Sequence, residues 1–341
     1  DALLALVRDA VGKALAGEVL IPAPAKPARP ARPRAQQVAM TWAPLDAARQ
    51  IGADVAREAA ALFASAESAV APAEASPPVE IVVVDDYETL SQRGADFIAG
   101  VVQRHPRALL GLATGQTPVG VYQELVHRAR AGLVDLSQVT IVCIDDYLGV
   151  SLETPYSLCG WLYRLVVQPL GLRPAQFRRM PADAPDPASA AAAFEAELRE
   201  RGGLDLLVLG LGANGHIAFN EPGSPPDSRT RVVDLAPETR ASNARYWPHG
   251  VAVPAQGLTM GIATLLEARA ILLLVSGAGK AEILARALEG PITPAVPASY
   301  LQTHPRLTVL VDRAAAARLR RVSVGQSAGP AQSPTGSRPA T

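Results

Sequence analysis

The sequence lacks features that mark several classes of protein. It has only 2 cysteines and no CxxC pair, so neither a disulfide framework nor a cysteine-based metal site is expected. Its 32 basic and 32 acidic side chains balance, which gives no electrostatic reason to expect nucleic acid or an anionic membrane as a partner. No apolar run is long enough to span a bilayer, and charges interrupt the N-terminal apolar stretch where a signal peptide would be uninterrupted. These absences predict a soluble, cytoplasmic protein.

Composition divides the 341 residues into three regions. Residues 1–78 are rich in alanine and proline, and predict an extension of short amphipathic helices joined by proline-rich linkers. Residues 79–313 predict a packed domain with a sizeable core. Residues 314–341 turn to serine, proline, glycine and arginine, which predicts a disordered tail.

The middle region alternates apolar stretches with helical ones. The predicted strands are apolar without alternation and cover 80–84, 108–113, 139–144, 204–212, 270–277 and 307–311. The helical stretches between them include 88–104, 118–131 and 187–201. Continuously apolar strands that alternate with helices indicate a sheet covered on both faces. The sequence therefore predicts a doubly wound α/β fold, with a mostly parallel, Rossmann-like sheet and helices on both faces.

Polar motifs directly follow four of these strands. In open α/β sheets, ligands bind outside the carboxyl ends of the strands. We therefore expect the motifs, which are far apart in the chain, to meet at one rim of the sheet. Each motif also has an ordinary structural explanation, which is weighed below.

The motif "ATGQTPVGVYQEL" follows the second predicted strand. Thr117 is a good helix N-cap, and Pro118 suits the first helical turn. Backbone N–H groups of Thr114, Gly115, Gln116 and Thr117, at the start of a helix, are suited to receiving a phosphate. An ordinary strand-to-helix turn uses the same residue types, so this motif alone leaves both interpretations open.

The motif "CIDDYLG" follows the third predicted strand. Side chains alternate along an extended chain, so Asp145 and Asp146 are expected to point to opposite sides. A partly buried carboxylate at a strand end can serve as a general base. It can equally bond its own backbone in a turn.

The motif "LGLGANGHIAFNEPG" follows the fourth predicted strand. Its glycines permit a tight turn, after which His216 lies close in sequence to Asn214 and Glu221. A lone histidine is more often an ordinary polar residue than a catalyst, but a carboxylate nearby on the predicted rim favours catalysis. Metal binding is the weaker interpretation, because no second histidine lies at ligand spacing.

Two cations also lie in or near such motifs. Lys280 in "SGAGK" follows another predicted strand, and Arg245 lies in "RASNARYW". Both can supply positive charge to a sugar phosphate. Each can also be an ordinary surface residue, and "SGAGK" does not match the P-loop pattern.

Taken in order, these motifs resemble those of the glucosamine-6-phosphate deaminases, in a group that also includes the 6-phosphogluconolactonases. The likeness extends from about residue 79 to 313. It depends on "TGQTPVGVYQEL", "IDDYLGVSLETPYS", "GANGHIAFNEPGS", "SRTRVV", "TRASNARYW", "LTMGIATLLEA" and "SGAGKAEILARALEG". The combination of "GHIAFNEPG" with "DDYLG" is specific, whereas lactonases typically lack the FNEP element.

The resemblance implies an enzyme that converts an amino-sugar phosphate to fructose 6-phosphate and ammonia. His216 would assist ring opening, with Asn214 and Glu221 orienting and tuning it. Asp145 would carry the C2 proton to C1. Neither a metal nor an organic cofactor is implied, because the neighbouring carbonyl is the electron sink. The resemblance also implies a homo-oligomer.

The same resemblance implies a binding site for the substrate phosphate. Thr114, Gly115, Gln116 and Thr117 would surround the phosphate, and the two cations named above would add charge. Apart from the sugar phosphate and further copies of the chain, no partner is implied for the domain.

The sequence departs from the pattern of the resembling enzymes at three positions. Asn214 stands where many members have aspartate, and Gln116 stands where a small residue is usual. Val233 replaces a lysine of the members that an effector phosphate activates, although Ser224 and Arg231 remain. We therefore expect weak or absent activation by N-acetylglucosamine 6-phosphate.

Other functions stay open from the sequence. The same residues would serve an aldose–ketose isomerase of another sugar phosphate, or a 6-phosphogluconolactonase-like hydrolase on the same fold. A sugar-phosphate sensor would need a helix-turn-helix near the N-terminus, and none is evident. Residues 1–20 resemble peptides that dock enzymes into bacterial microcompartments, which would make a shell or assembly protein a partner. A floppy extension, or a helix that packs on its own domain, is the alternative interpretation and is slightly favoured.

Overall fold

A seven-stranded parallel sheet forms the centre of the part of the chain that the computed structural model describes, residues 79–320. The strand order is β1-β10-β9-β6-β2-β3-β5, and each neighbouring pair is parallel. The strands of the described region are β1 (Glu80–Val84), β2 (Leu109–Leu112), β3 (Thr140–Cys143), β4 (Asp145–Tyr147), β5 (Phe177–Arg178), β6 (Leu206–Gly210), β7 (Arg231–Asp234), β8 (Gln256–Thr259), β9 (Ile271–Val275) and β10 (Leu307–Asp312). All six predicted strands lie in this sheet.

Helices connect most of these strands. They are α1 (Tyr87–Arg104), α2 (Val119–Arg130), α3 (Leu158–Leu162), α4 (Pro187–Glu200), α5 (Pro237–Asn243), α6 (Ile262–Leu266), α7 (Ala281–Glu289) and α8 (Arg313–Ala316). The helical stretches predicted at 88–104, 118–131 and 187–201 match α1, α2 and α4 to within a residue at each end. The doubly wound α/β fold is confirmed.

Local sequence explains where the long helices begin. The Asp86 carboxylate caps α1 by accepting a hydrogen bond from the Thr89 N–H at 2.8 Å. Asp186 caps α4 in the same way, and Pro187 occupies the first helical position, where its missing N–H leaves no bond unmade. The apolar faces of these helices then pack on the sheet, whose central strands are almost wholly buried.

The chain reverses its direction of travel across the sheet between β2 and β6. From β2 it proceeds to β3 and β5 on one side, and from β6 to β9 and β10 on the other. Because β2 and β6 are neighbours, their carboxyl ends flank a topological switch point, where α/β sheets form ligand-binding crevices. The strands followed by the predicted motifs, β9, β6, β2 and β3, are adjacent in this order.

A second sheet was not predicted from the sequence. It is antiparallel, with strand order β4-β8-β7, and only residue Ile144 separates β3 from β4. Its register pairs Asp145 with Thr259 and Arg231 with the same threonine. Beside it lies a small apolar cluster of Tyr147, Phe219 and Trp247 together with Leu235. Its strand β4 contains both aspartates of the motif that follows β3.

The ends of the chain are described only in part. The structure includes α8, whose Ala315 and Ala316 are buried, a few residues beyond the boundary predicted at residue 313. The predictions for residues 1–78 and for most of the tail fall outside the described residues. Within 79–320, no helix has the length and hydrophobicity needed to cross a membrane.

Candidate active site

A cleft of about 260 Å³ opens at the switch point of the large sheet. Three of the predicted motifs line it, although they are separated by up to a hundred residues in the chain. Thr114, Gly115 and Gln116 come from the loop after β2, Asp145 is the first residue of β4, just beyond the end of β3, and His216 comes from the loop after β6. The fold therefore brings together the loop suited to an anion, a carboxylate and an imidazole.

The loop after β2 exposes backbone N–H groups. Gly115 has a φ of 115°, a value that L side chains rarely adopt, and it turns the chain from the strand into the loop. Within residues 79–320, no group accepts a hydrogen bond from the backbone N–H of Gly115, Gln116 or Thr117. Donors left free before a helix are suited to binding an anion.

The start of the helix after this loop differs from the prediction. α2 begins at Val119, with Pro118 as its N-cap and no side-chain cap, so the expectation that Thr117 caps it is wrong. The Tyr87 hydroxyl takes the place of the cap by accepting a hydrogen bond from the Gly120 N–H at 2.9 Å. The same hydroxyl lies 3.1 Å from the carbonyl oxygens of Gln116 and Thr117, and so braces the loop from α1.

Asp145 lines the cleft from the start of β4. Its side chain is buried, and its Oδ1 atom has no hydrogen-bond partner among the described residues. Burial, together with the negative charge of the neighbouring Asp146, raises the pKa of Asp145 to about 7. A carboxyl group with this pKa can both accept and donate a proton near neutral pH.

Asp146 points away from the cleft, as strand alternation requires. Its carboxylate accepts hydrogen bonds from the Ser157 hydroxyl at 2.7 Å and from the Leu158 N–H at 2.8 Å. The two adjacent aspartates therefore have different surroundings, one facing the cleft and the other facing the N-terminus of α3.

His216, Asn214 and Glu221 form one hydrogen-bonded group. The His216 Nδ1 atom lies 2.7 Å from the Asn214 Oδ1 atom, and the Asn214 Nδ2 atom donates to the Glu221 carboxylate at 2.8 Å. Burial opposes ionisation of Glu221, but interactions with the side chains of His216, Thr239 and Asn214 outweigh it and lower the pKa of Glu221 to about 2. Glu221 is therefore ionised throughout the neutral pH range.

This group fixes the tautomer of the imidazole. Because the Asn214 Nδ2 atom donates to Glu221, the Oδ1 atom faces His216, where it also accepts the backbone N–H at 3.1 Å. An oxygen acceptor requires a proton on Nδ1, so the neutral ring has a free lone pair on Nε2. The ring packs closely against Gly212, where a Cβ atom would come within 2.4 Å of it.

The two predicted cations lie outside the lining of the cleft. Lys280 donates from Nζ to the Leu211 carbonyl at 2.7 Å, and so is anchored to the loop after β6. Burial, and to a lesser degree the charge of Arg245, lower the pKa of Lys280. Arg245 is exposed and its guanidinium stacks on the Tyr246 ring, 4.8 Å from the centroid. Tyr246 itself lines the cleft, so Arg245 lies at its margin.

An aromatic wall on one side of the cleft was missed by the sequence analysis. Its rings are Tyr147, Tyr156, Trp161, Phe219, Tyr246 and Trp247. The Tyr156 and Trp247 rings lie 4.0 Å apart between centroids, and Trp247 meets Tyr147 edge-on at 5.1 Å. The scarcity of aromatic residues was the sequence signal that could have indicated this wall. They make up only 4% of the chain, and two of its 3 tryptophans line the cleft.

The residues considered for an effector site are engaged within the protein. Arg231 donates to the Asn220 side-chain oxygen at 2.9 Å and to the Ser224 hydroxyl at 3.3 Å. Asn220 is fully buried and in turn donates to the Met260 carbonyl at 2.8 Å. Val233 packs against the small apolar cluster beside the cleft. Within residues 79–320, no group of three or more His, Cys, Asp or Glu side chains is arranged to hold a metal ion.

The fold and the cleft define a doubly wound α/β protein with a cleft at its switch point. A model of the family described as glucosamine-6-phosphate isomerases/6-phosphogluconolactonase matches residues 85–310. The chain belongs to this family.

Similar proteins agree with this assignment. A glucosamine-6-phosphate deaminase of Rhodopirellula baltica is 46% identical over 243 residues, which are 71% of this chain and 96% of that protein. A glucosamine-6-phosphate deaminase 2 of Bacillus subtilis is 40% identical over 247 residues, covering 72% of this chain and 99% of the relative.

Solved structures are similar over the same region. A monomeric glucosamine-6-phosphate deaminase superposes with a TM-score of 0.69 at 39% identity, covering 70% of this chain and 100% of that one. A 6-phosphogluconolactonase of Trypanosoma brucei has a TM-score of 0.57 at 20% identity, over 72% of this chain and 100% of that one. The second likeness extends to the fold alone.

Proposed function

We propose that this protein is an enzyme that converts glucosamine 6-phosphate and water to fructose 6-phosphate and ammonia. The observation that supports this most directly is the pairing of two groups in one cleft. The unpartnered carboxyl of Asp145 and the imidazole of His216 both line it, beside the free N–H groups of Gly115 and Gln116. The deaminase relatives, which this chain matches over nearly their full length, support the same reaction.

In the first step, His216 opens the sugar ring. The tautomer set by Asn214 leaves a lone pair on Nε2, which accepts the proton of the anomeric hydroxyl and returns a proton to the ring oxygen. The imidazole carries positive charge while it holds the proton. The ionised Glu221, whose Oε2 atom lies 3.5 Å from Nδ1, stabilises this charge.

In the second step, Asp145 moves a proton between two carbons. Its carboxylate removes the C2 proton from the open-chain aldehyde, the electron pair passes to the C1 carbonyl, and the carbonyl oxygen takes a proton from the ammonium group at C2 to give an enol. The protonated Asp145 then delivers the proton to C1, which leaves an imine at C2. Water adds at C2 and ammonia leaves, so the overall reaction takes up one water molecule, as in a hydrolysis. A pKa of about 7 suits a group that must both take and return the proton.

The substrate phosphate is proposed to bind at the loop after β2. The backbone N–H groups of Gly115, Gln116 and Thr117 supply donors, and the Thr114 side chain lines the same part of the cleft. Arg245 at the margin of the cleft and Lys280 after β9 add positive charge. The aromatic wall would exclude water from the sugar during the enol step.

An ammonia-release assay tests this function. Purified protein is given glucosamine 6-phosphate, and both ammonia and fructose 6-phosphate are measured. Equal amounts of the two products are expected, with loss of both in Asp145→Asn. Ketose formed without ammonia from another sugar phosphate would instead identify an aldose–ketose isomerase, and acid formed from 6-phosphogluconolactone would identify a lactonase.

Three expectations about location, assembly and partners are also proposals. They are a cytoplasmic location, assembly as a homo-oligomer, and binding of residues 1–20 to a shell or assembly protein of a bacterial microcompartment. The solved structure of a similar deaminase is described as monomeric, so measurement of the mass of this protein in solution tests the homo-oligomer.

Deletion of residues 1–40 tests docking, since unchanged activity with lost co-assembly would support it. Loss of folding in the deleted protein would reject docking.

A further inference from the structure

Asp146, the buried neighbour of the proposed base, receives an unusual number of hydrogen bonds. Its Oδ1 atom accepts from the N–H groups of Tyr147 and Leu158, both at 2.8 Å. Its Oδ2 atom accepts from the Ser157 hydroxyl at 2.7 Å and from the Cys159 N–H at 3.1 Å. The side chain is only 1% exposed, so protein donors take the place of water around the carboxylate.

These hydrogen bonds attach α3 to the strand that holds the base. Ser157 caps α3, and its hydroxyl oxygen also accepts the Gly160 N–H at 2.9 Å. Leu158 and Trp161, on the same helix, line the cleft. One carboxylate thus links β4 to a wall of the proposed substrate site, with no other side chain between them.

The two adjacent carboxyl groups contrast in their partners. Asp146 has four donors, whereas the Oδ1 atom of Asp145 has no partner in the described part of the chain. Two buried carboxylates this close in the chain do not both ionise easily. The negative charge is therefore most stable where the donors are, and the proton is most stable on the carboxyl that lacks them.

We propose that Asp146 is a positioning residue that keeps the proton of this pair on Asp145 and fixes the α3 wall against β4. Burial raises the pKa of Asp146 and its four hydrogen bonds oppose that shift, so Asp146 is the more readily ionised member of the pair, and it does not contact the sugar. Burial is the main cause that raises the pKa of Asp145 to about 7, and the charge of Asp146 adds to it. Near neutral pH, Asp145 is therefore present both as the carboxylate that takes the C2 proton and as the acid that returns it. The assignment of Asp145 as the base rests on the proposed function, but the distribution of charge within the pair does not.

Other titratable groups face Asp145 without supplying this charge. They are Cys143 on β3, Tyr122 on α2, Tyr147 on β4, Cys159 on α3 and, across the cleft, His216. Burial raises the pKa values of both cysteines and both tyrosines, so these groups stay neutral near neutral pH. Asp146 is the one carboxylate among the neighbours named here.

The pH dependence of kcat/KM in Asp146→Asn tests the proposal. Removal of the neighbouring negative charge is expected to move the acidic limb of the profile to lower pH by about one pH unit or more. Ser157→Ala is the matched control, because it removes a hydrogen bond and the helix cap but keeps the charge. It is expected to raise KM while the limb moves by less than about 0.3 pH unit. A purely structural role for Asp146 would change KM and leave both limbs in place, and that result would overturn the proposal.

Infrared spectroscopy gives a second measurement if Asp146→Asn does not fold. A protonated carboxyl band that titrates near neutral pH is expected in the wild type and in Ser157→Ala, and it should be absent in Asp145→Asn. Persistence of the band in Asp145→Asn would assign the proton to Asp146 and refute the proposal. The measurement needs no turnover, so a protein without deaminase activity would refute the proposed function alone.

Discussion

Replacement of Gly212 by alanine tests the histidine geometry more directly than replacement of the histidine itself. A Cβ atom at this position would lie 2.4 Å from three atoms of the His216 ring, Cε1, Nδ1 and Nε2, whereas ordinary contacts begin at 3.4 Å. The ring must therefore move by about 1 Å. Since Gly212 does not have a positive φ, alanine adopts the backbone conformation without strain, and the displaced ring is the main effect.

The size of the effect follows from the hydrogen bond that the ring would lose. The Nδ1 atom lies 2.7 Å from the Asn214 Oδ1 atom, and a displacement of about 1 Å away from it takes the pair beyond hydrogen-bonding distance. A misplacement of this size typically lowers a rate roughly 10²-fold. Overpacking at the same site is expected to lower the free energy of unfolding by about 1–3 kcal/mol.

Gly210→Ala is the matched control. Gly210 belongs to the same strand and loop, and a Cβ atom there has nothing within 4 Å. We expect its kcat/KM for ammonia release to stay within about threefold of the wild type, and its stability to stay equal or rise by up to about 1 kcal/mol. Steady-state kinetics and thermal unfolding of both variants provide the comparison. Equal activities in the two variants would show that the position of the imidazole does not limit the reaction.

Further predictions concern charge. Asp145→Asn is expected to lower kcat roughly 10³-fold. The pKa of Asp145 is raised from 3.8 to about 7, so the wild-type protein loses stability as the pH rises through this range. Asp145→Asn should therefore be more stable than the wild type at about pH 8, by up to about 4 kcal/mol, and equally stable at about pH 3. Equal melting temperatures at pH 8 would contradict this. The pKa of Glu221 is lowered from 4.5 to about 2, so its contribution is present above 4.5 and lost as the pH falls toward 2. Glu221→Gln should therefore unfold about 2 kcal/mol more easily at neutral pH, and chemical denaturation should show this difference shrinking below pH 4.5. Arg245→Gln should raise KM about tenfold with kcat nearly unchanged, and an unchanged KM would place the phosphate elsewhere. N-acetylglucosamine 6-phosphate should not activate the enzyme, and a sigmoidal rate curve that it abolishes would contradict the argument from Val233.

Six of the seven strands of the large sheet were predictable because they carry a purely local signal, which the two-residue β5 lacks. Runs such as "ILLLV" (Ile271–Val275) are apolar at every position, which suits a strand buried on both faces. The second sheet has no such signal. Asp145–Tyr147 has three residues, two of them charged, and Arg231–Asp234 has a charge at each end. These strands exist because they pair with β8, a contact that local sequence does not reveal.

The meeting of the motifs at one rim followed from the rule for parallel sheets, whereas the remaining contacts of the site did not. The aromatic wall is assembled from five segments, and no spacing in the chain relates Tyr156 to Trp247. The Tyr87 hydroxyl replaces the expected cap of α2 from a position 33 residues away. Long-range hydrogen bonds of this kind depend on how helices pack, and a pattern in the sequence records only one of the two partners.

Asn214 is one of the three positions at which the sequence departs from the pattern of the resembling enzymes. An amide beside the imidazole has no charge with which to stabilise the imidazolium. In the structure, the same amide donates to Glu221, whose carboxylate lies 3.5 Å from the ring nitrogen. A second carboxylate at residue 214 would lie next to this one, and the two would repel unless a proton bridged them. With asparagine, Glu221 is the one negative charge beside the ring. The Asn214 amide fixes the ring tautomer because its Nδ2 atom donates to Glu221 and its Oδ1 atom accepts from the His216 Nδ1 atom. The substitution therefore preserves the orientation of the histidine and transfers the electrostatic role to Glu221.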